Sequence, residues 1–194
     1  MNIFLKLLVI ILIIFLNSCS KKEEKISMIQ EKELRLQMID AYKEGVKALE
    51  EGDVLFAAKK FNEAEILFPQ SEWAPKSILM AAYSYYVQDY YYDAISELDR
   101  FIKNYPKDER LNYAHFLLAM CYYEQIVDEK KDLGPLLNAQ KEFKFIIKNY
   151  PNSDFALDSK FKLDFINDVL ASKEIYLGRY YIKKEKWIAA INRF

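Results

Sequence analysis

A pattern of small and large side chains recurs along the chain, and three of its copies close at a proline. In its first copy, Gly45 and Ala57 are followed by Phe61 and then by Pro69. Two amphipathic helices must approach closely where the small residues lie, and Phe61 fills the wider gap beside them. A helix pair of this kind cannot bury its own apolar face and needs a neighbouring pair. The pattern therefore predicts an array of stacked helix pairs.

Three more copies of the pattern follow. The matching positions are Ala82, Ala94 and Leu98 in the second copy, Ala119 and Ala139 in the third, and Gly178, Ala190 and Phe194 in the fourth. Pro106 and Pro151 close the second and third copies, and a charged Gly-Pro loop around Val127 to Pro135 adds eight residues to the third. Coincidental alanines in a plain helical protein are the alternative.

We predict an all-α fold, an α-solenoid of tetratricopeptide-like helix pairs that is truncated in its fourth repeat. The repeat domain covers 28–194, with repeats at about 36–69, 73–106, 109–151 and 154–194. Only 4 Gly and 5 Pro argue for long helices and against a turn-rich β protein. The fourth repeat ends at Phe194, in the middle of a predicted helix, and this indicates a fragmentary gene product.

Capping and breaking residues place the individual helices. A capping box at Ser27 opens a helix that runs to Glu50, and Asp53, Asp108 and Ser153 are predicted N-caps of later helices. Intermediate helices are predicted at 73–88, 91–104, 108–126 and 136–149. Apolar spacing without Pro or Gly predicts one long helix over 154–183, the alternative being two helices broken near Ser172.

The N-terminus reads as a secretory signal. Leu7 to Leu16 is an unbroken apolar run of ten residues, whereas a membrane-spanning helix needs about 20. The following Leu16-Asn17-Ser18-Cys19 resembles a bacterial lipobox, although Asn17 is unusual there. We expect a signal peptide over 1–18 and a lipidated tether over 19–27. A plain cleaved signal or a weak anchor helix with an incidental Cys19 is the alternative.

Catalytic and metal chemistry has little support in the composition. The chain has one histidine, His115, and two cysteines, Cys19 and Cys121, so zinc-ligand spacing cannot be met. We expect a packing role for His115 and a buried thiol at Cys121. No glycine-rich phosphate loop is visible, and a net charge of −1 provides no basic field for nucleic acid. We expect no enzyme activity and no cofactor other than covalent lipid.

The first helix of each tetratricopeptide pair lines the concave face of the array, and this gives candidate groove residues. They are Tyr42, Lys43, Lys76, Met80, Tyr83, Tyr86, Tyr113, Phe116, Met120 and Tyr123. Tyrosine offers large contact area with a polar end and methionine adapts to varied partners, so an aromatic extended segment would fit. About half of these side chains are expected to be inter-repeat core, and Lys43 and Lys76 have a solvated alternative. A known set of Lys, Asn and Arg that clamps a terminal carboxylate is absent.

Several segments resemble the BamD family of outer-membrane lipoproteins. They are the lipobox-like Leu16 to Cys19, the Phe68-Pro69-Gln70-Ser71-Glu72-Trp73-Ala74 turn, Ala81 to Tyr86, Asp99 to Ile102, Tyr150 to Ser153, and Tyr180-Tyr181 with Trp187 to Arg193. The likeness covers nearly the whole mature chain. The family has about five repeats, and this chain stops inside the fourth.

The resemblance implies a non-enzymatic scaffold of the β-barrel assembly machinery. It would be anchored to the periplasmic face of the outer membrane by an S-diacylglycerol and an N-acyl chain on Cys19, with Ser20 directing it there. The implied partners are the periplasmic domains of a BamA-like insertase, other assembly lipoproteins, and C-terminal segments of unfolded outer-membrane proteins. The resemblance places the insertase contact towards the C-terminal half of the family's repeat array. A lipoprotein adaptor that organises cell-wall hydrolases or synthases is the alternative function.

Overall fold

A computed structural model describes residues 28–126 and 133–194, with side chains from Gln30 onward within these ranges. Contacts divide the chain into two units, Met1–Glu33 and Leu34–Phe194. Of the first unit, only 28–33 at the start of a helix are described. The second unit contains the repeats and every site discussed below.

All regular elements in the described ranges are helices. They are α1 (Met28–Glu50), α2 (Val54–Leu67), α3 (Ala74–Tyr86), α4 (Tyr91–Asn104), α5 (Leu111–Tyr123), α6 (Gly134–Asn149), α7 (Asp154–Lys183) and α8 (Trp187–Ile191). From α2 onward each helix packs against the next in the chain, and α5 also contacts α3 and α7. The described part is therefore an α-solenoid of helix pairs, which confirms the fold class.

The small positions of the pattern are points of close helix approach. A Cβ atom built on Gly45 of α1 would lie 2.9 Å from the Phe61 ring of α2, so glycine is what lets this ring settle against the backbone. Phe61 is fully buried, together with Ala57 and Ala58. In the fourth pair, the Phe194 ring lies over Gly178 in the same way.

The repeats share a continuous core, because each buried cluster draws on more than one pair. Ala81 of α3 joins the cluster around Phe61, and Ala114 and Leu117 of α5 join the cluster around Leu98 of α4. A further cluster joins Phe143 of α6 to α5 and α7. Each pair thus completes the core of its neighbour, as the sequence pattern requires.

The turn between the two helices of a pair uses a left-handed backbone conformation. Gly52 has φ +83°, and Asp89 and Glu185 occupy the equivalent turns with φ 62° and 57°. Side chains with a Cβ atom disfavour this region, which glycine adopts without a steric penalty. The second and fourth turns are therefore more strained than the first.

Two predicted caps and the long helix are confirmed. Asp53 accepts a hydrogen bond from the backbone N–H of Phe56 at 3.2 Å, and Ser153 accepts one from Ala156 at 3.2 Å. α7 runs unbroken through 30 residues from Asp154 to Lys183. The alternative of a break near Ser172 is wrong.

Other helix ends differ from the prediction. Asp108 is not the N-cap of α5, because its carboxylate binds Arg110 instead and the helix begins at Leu111. α3 ends at Tyr86 rather than at residue 88, since the chain turns through Asp89. Gly134 and Pro135 belong to the first turn of α6 rather than to the loop, a position that suits the fixed φ of proline.

A charged network joins the second helices of the first two pairs. The Arg100 guanidinium of α4 forms an ion pair with Glu65 of α2 and donates to Asn62 at 2.9 Å. It also contacts Glu97 at 2.6 Å, and the Tyr105 hydroxyl donates to Glu65 at 3.1 Å. Glu65 is only 5% exposed, so this network compensates a buried carboxylate at the junction between repeats.

Candidate functional site

The ten groove candidates lie on α1, α3 and α5, the first helices of three successive pairs. We call the surface that they form the A-helix face. The structure separates its members into an open depression on the first pair, a tyrosine group on the second and third pairs, and a set that α7 covers. Their role in binding remains a prediction.

The depression on the first pair is lined by Ile39, Tyr42, Lys43, Val46, Lys47, Glu50 and Trp73. Its volume is about 340 Å³, near the lower end of the roughly 300–1,000 Å³ common among ligand sites. The lining is mostly apolar, whereas Lys43 is exposed at its edge. This depression is large enough to hold a large side chain of a bound segment.

Tyr42 forms the floor of this depression and is held on two sides. Its ring packs edge-on against Phe61 at 5.2 Å and against Trp73 at 5.1 Å between centroids. Burial raises the pKa of Tyr42, and the nearby Arg110 guanidinium opposes that rise. Tyr42 therefore remains a neutral phenol at physiological pH and belongs both to the core and to the surface.

Lys43, Lys47 and Glu50 are the charged residues that line the depression, and two further cations lie near it. The Lys76 ammonium lies 5.1 Å from the centroid of the Trp73 ring, a cation–π arrangement that fixes the ring and holds the charge beside it. Arg110 donates from Nε and Nη2 to the Asp108 carboxylate at 2.7 and 2.6 Å. The remaining Nη1 of Arg110 is buried without a hydrogen-bond partner among the described residues. With Lys43, these groups favour ligands that carry a carboxylate or carbonyl oxygen.

Tyr83, Tyr86 and Tyr113 come together across α3 and α5. Burial, with smaller contributions from the nearby Tyr83 and Tyr86 hydroxyls, raises the pKa of Tyr113 to about 12. Tyr83 is exposed, whereas Tyr86 is partly buried against Tyr91 at 6.1 Å between centroids. This tyrosine group offers flat aromatic surface with hydroxyl groups for hydrogen bonding.

The candidates Phe116, Met120 and Tyr123 mainly form core. Phe116 packs on Phe155 of α7 at 5.0 Å, and Met120 packs on the cluster around Phe143. Tyr123 contacts Phe143 at 6.0 Å, Phe165 at 5.5 Å and the Lys162 ammonium at 4.8 Å. The N-terminal half of α7 therefore covers much of the A-helix face on the third pair. Met80 likewise packs on the cluster around Phe61.

Sequence reasoning did not assign Trp73, Arg110 or Lys162 to the site. Trp73 stands in the turn that precedes α3, outside the helix positions from which the candidates were chosen. Arg110 precedes the first turn of α5, and its side chain, held by Asp108, lies close enough to Tyr42 to oppose the rise in the Tyr42 pKa.

His115 and Cys121 have packing environments, as predicted. His115 Nδ1 lies 2.8 Å from a Glu142 carboxylate oxygen, and its ring stacks on Phe145 at 4.2 Å. Cys121 is fully buried, and burial raises the pKa of its thiol to about 12. Within residues 28–126 and 133–194, no group of three or more His, Cys, Asp or Glu side chains is arranged to hold a metal ion.

The predicted signal peptide, the tether and the lipidation site Cys19 lie outside the described residues. Across the part of the chain that is described, no helix has the length and apolar character needed to cross a membrane.

The stacked helix pairs place the chain in the class of tetratricopeptide-like repeat proteins. Comparison with known proteins identifies the family within this class. The YfiO family, described as "Outer membrane lipoprotein", matches residues 35–194. This range contains seven of the described helices in full and most of α1. The chain therefore belongs to the YfiO family of outer-membrane lipoproteins.

Curated relatives carry a more specific description. The chain is 38% identical over 176 residues to the outer membrane protein assembly factor BamD of Caulobacter vibrioides, covering 91% of this chain and 57% of that protein. It is 37% identical over 153 residues to BamD of Rickettsia prowazekii, covering 79% and 61%. BamD of Neisseria meningitidis is 29% identical over 162 residues, covering 78% and 61%. The chain spans about three fifths of the length of these relatives.

Proposed function

We propose that this chain is a non-enzymatic scaffold in the assembly of outer-membrane β-barrel proteins. The observation that carries the proposal is the 38% identity to a BamD assembly factor over 91% of the chain. The packing roles of His115 and Cys121 agree with a scaffold rather than an enzyme. The A-helix face then supplies the contact with client proteins.

The proposed ligand is the C-terminal segment of an unfolded outer-membrane protein. An aromatic side chain would enter the depression lined by Tyr42 and Trp73, while Lys43 or Lys76 meets the terminal carboxylate. The rest of the extended segment would continue over the tyrosine group of α3 and α5. An aromatic anchor fixes orientation and the charges select a chain terminus over an internal segment.

A peptide experiment tests this ligand. A synthetic peptide that ends in phenylalanine with a free carboxylate is titrated against the full chain in mild detergent, beside the same peptide with a C-terminal amide. We expect the free acid to bind more tightly, and Trp73→Ala to weaken binding at least about tenfold, since an aromatic stacking partner is lost. Tyr92→Ala is the matched control, because Tyr92 of α4 is 81% exposed and outside the depression. Equal binding by both variants would exclude the depression as the site.

The proposed location is the periplasmic face of the outer membrane. Two or more acyl chains on Cys19, at about 0.8 kcal/mol per buried CH₂, would give a stable anchor without a spanning helix. Mass spectrometry of the mature N-terminal peptide should find the diacylglycerol and the N-acyl chain, and Cys19→Ser should release the chain from the outer-membrane fraction. An unmodified N-terminus would refute the anchor.

The proposed partners are the periplasmic domains of a BamA-like insertase and the other lipoproteins of the assembly complex. Affinity purification of the tagged chain from detergent extracts should recover the insertase, and depletion should lower the level of folded β-barrels in the outer membrane. Recovery of cell-wall hydrolases or synthases instead, with β-barrel levels unchanged, would favour the adaptor function.

A further inference from the structure

The N-terminal half of α7 presents an apolar ridge that no described element covers. Leu157, Phe161 and Phe165 follow one another at four-residue intervals and are 58%, 66% and 47% exposed. Side chains at this spacing stand in one row on a helix, and rows of this kind fit the grooves of another helix. Scattered apolar residues are ordinary on protein surfaces, but three large ones in one row indicate a contact surface.

Carboxylates share this surface with the ridge. At about 100° per residue, Asp158, Asp164 and Asp168 all fall within roughly 60° of Phe161. Among the described residues, none of the three forms an ion pair. Lys160 and Lys162 stand about 100° from Phe161 on either side of the ridge, and the Lys162 ammonium lies over the Tyr123 ring at 4.8 Å. We call the three apolar and three acidic residues together the α7 acidic face.

We infer that the α7 acidic face binds a cationic amphipathic helix of another protein. Such a helix would place apolar side chains along the Leu157–Phe165 ridge and Lys or Arg opposite the carboxylates. Charge complementarity of this kind selects the partner and raises its rate of association. A helical partner satisfies its own backbone hydrogen bonds, whereas an extended segment would find no strand edge on a helix to pair with.

The same charges argue against two other occupants. A two-fold pairing centred on Phe161 would set Asp158 against the Asp164 of a second copy, and like charges at a shared interface are unfavourable. A bacterial membrane surface rich in anionic headgroups would repel the three carboxylates. The surface shares no residue with the depression at Tyr42, so it is separate from the proposed client site.

Defined peptides test the inference on the full chain in mild non-ionic detergent. One labelled helical peptide carries leucines on one face flanked by lysines, and a second has the lysines replaced by glutamates. Fluorescence anisotropy should show binding of the lysine peptide alone. Phe161→Ser should weaken that binding at least about fivefold, and Asp164→Asn with Asp168→Asn should weaken it and reduce its salt dependence.

Ile66→Ser is the matched control, because Ile66 of α2 is 74% exposed and lies far from α7 in the array. It should bind the lysine peptide as the parent does, and circular dichroism should show that all variants remain folded. Equal loss in Ile66→Ser and Phe161→Ser, equal binding of the glutamate peptide, or no binding at about millimolar peptide would each overturn the inference. Sedimentation that reveals self-association abolished by Phe161→Ser would replace the partner helix with a second copy.

Discussion

Replacing Arg100 by methionine is expected to lower the free energy of unfolding by about 2–3 kcal/mol. Arg100 forms an ion pair with Glu65, which is only 5% exposed. Methionine keeps most of the apolar stem and removes the charge, so Glu65 would be left buried without its cation. The magnitude therefore measures how strongly the junction between the first two repeats depends on this network.

The magnitude follows from two features of the network. Removing one partner of a fully buried ion pair costs about 3–5 kcal/mol. The Arg100 side chain is 37% exposed, and Glu65 retains the hydrogen bond from the Tyr105 hydroxyl, so water and Tyr105 compensate part of the loss. Combining Arg100→Met with Glu65→Leu removes the stranded charge, and this double variant should lie within about 1 kcal/mol of the parent.

Urea unfolding of the full chain in mild detergent, followed by far-ultraviolet circular dichroism, measures these differences. Lys47→Met is the control, because Lys47 and Glu51 are both well exposed and 3.8 Å apart, and it should change stability by less than about 0.5 kcal/mol. A loss below about 0.5 kcal/mol in Arg100→Met, or a double variant as unstable as the sum of the single ones, would refute the reasoning.

Three further predictions concern the turns, the close helix approach and the buried thiol. Gly52 and Glu185 both have positive φ, which glycine adopts more easily than other residues. Gly52→Ala should therefore lower the free energy of unfolding by about 1 kcal/mol, and Glu185→Gly should raise it by up to about 1 kcal/mol. Changes of the opposite sign in urea unfolding would contradict this prediction. Gly45→Ala should cost about 1–3 kcal/mol in the same assay, since its Cβ would lie 2.9 Å from the Phe61 ring, and a neutral result would show that the ring can move. Burial holds the pKa of Cys121 at about 12, above the ordinary value of 9.0, so stability should fall as pH rises from about 9 to 12, and Cys121→Ala should flatten this part of the profile.

The repeat architecture was predictable because its signals are local and periodic. Small residues at Gly45 and Ala57 with Phe61 between them leave few ways for two helices to pack, and the structure brings these residues together. The length of α7 was predictable for the same reason, since no Pro or Gly interrupts its apolar spacing before Gly178. Such patterns report on the neighbours of a residue within its own helix pair.

The composition of the A-helix face was less predictable because it depends on contacts between pairs. The additional residues at the start of α7 were visible in the sequence, but not that Phe155 and Phe165 would pack on Phe116 and Tyr123. The predicted cap at Asp108 was wrong because a carboxylate beside an arginine can bind the guanidinium instead of a helix N-terminus. Competition between two possible partners of one side chain produces no periodic pattern in the sequence.

Tyr42 gives the first helix pair an unusual property, since one ring contacts both Phe61 in the interior and Trp73 at the surface. Phe61 is fully buried, so no ligand can contact it, yet its packing against Tyr42 helps to set the shape of the depression. Substitution of Phe61 is therefore expected to change the shape of the depression, although the residue lies entirely in the core.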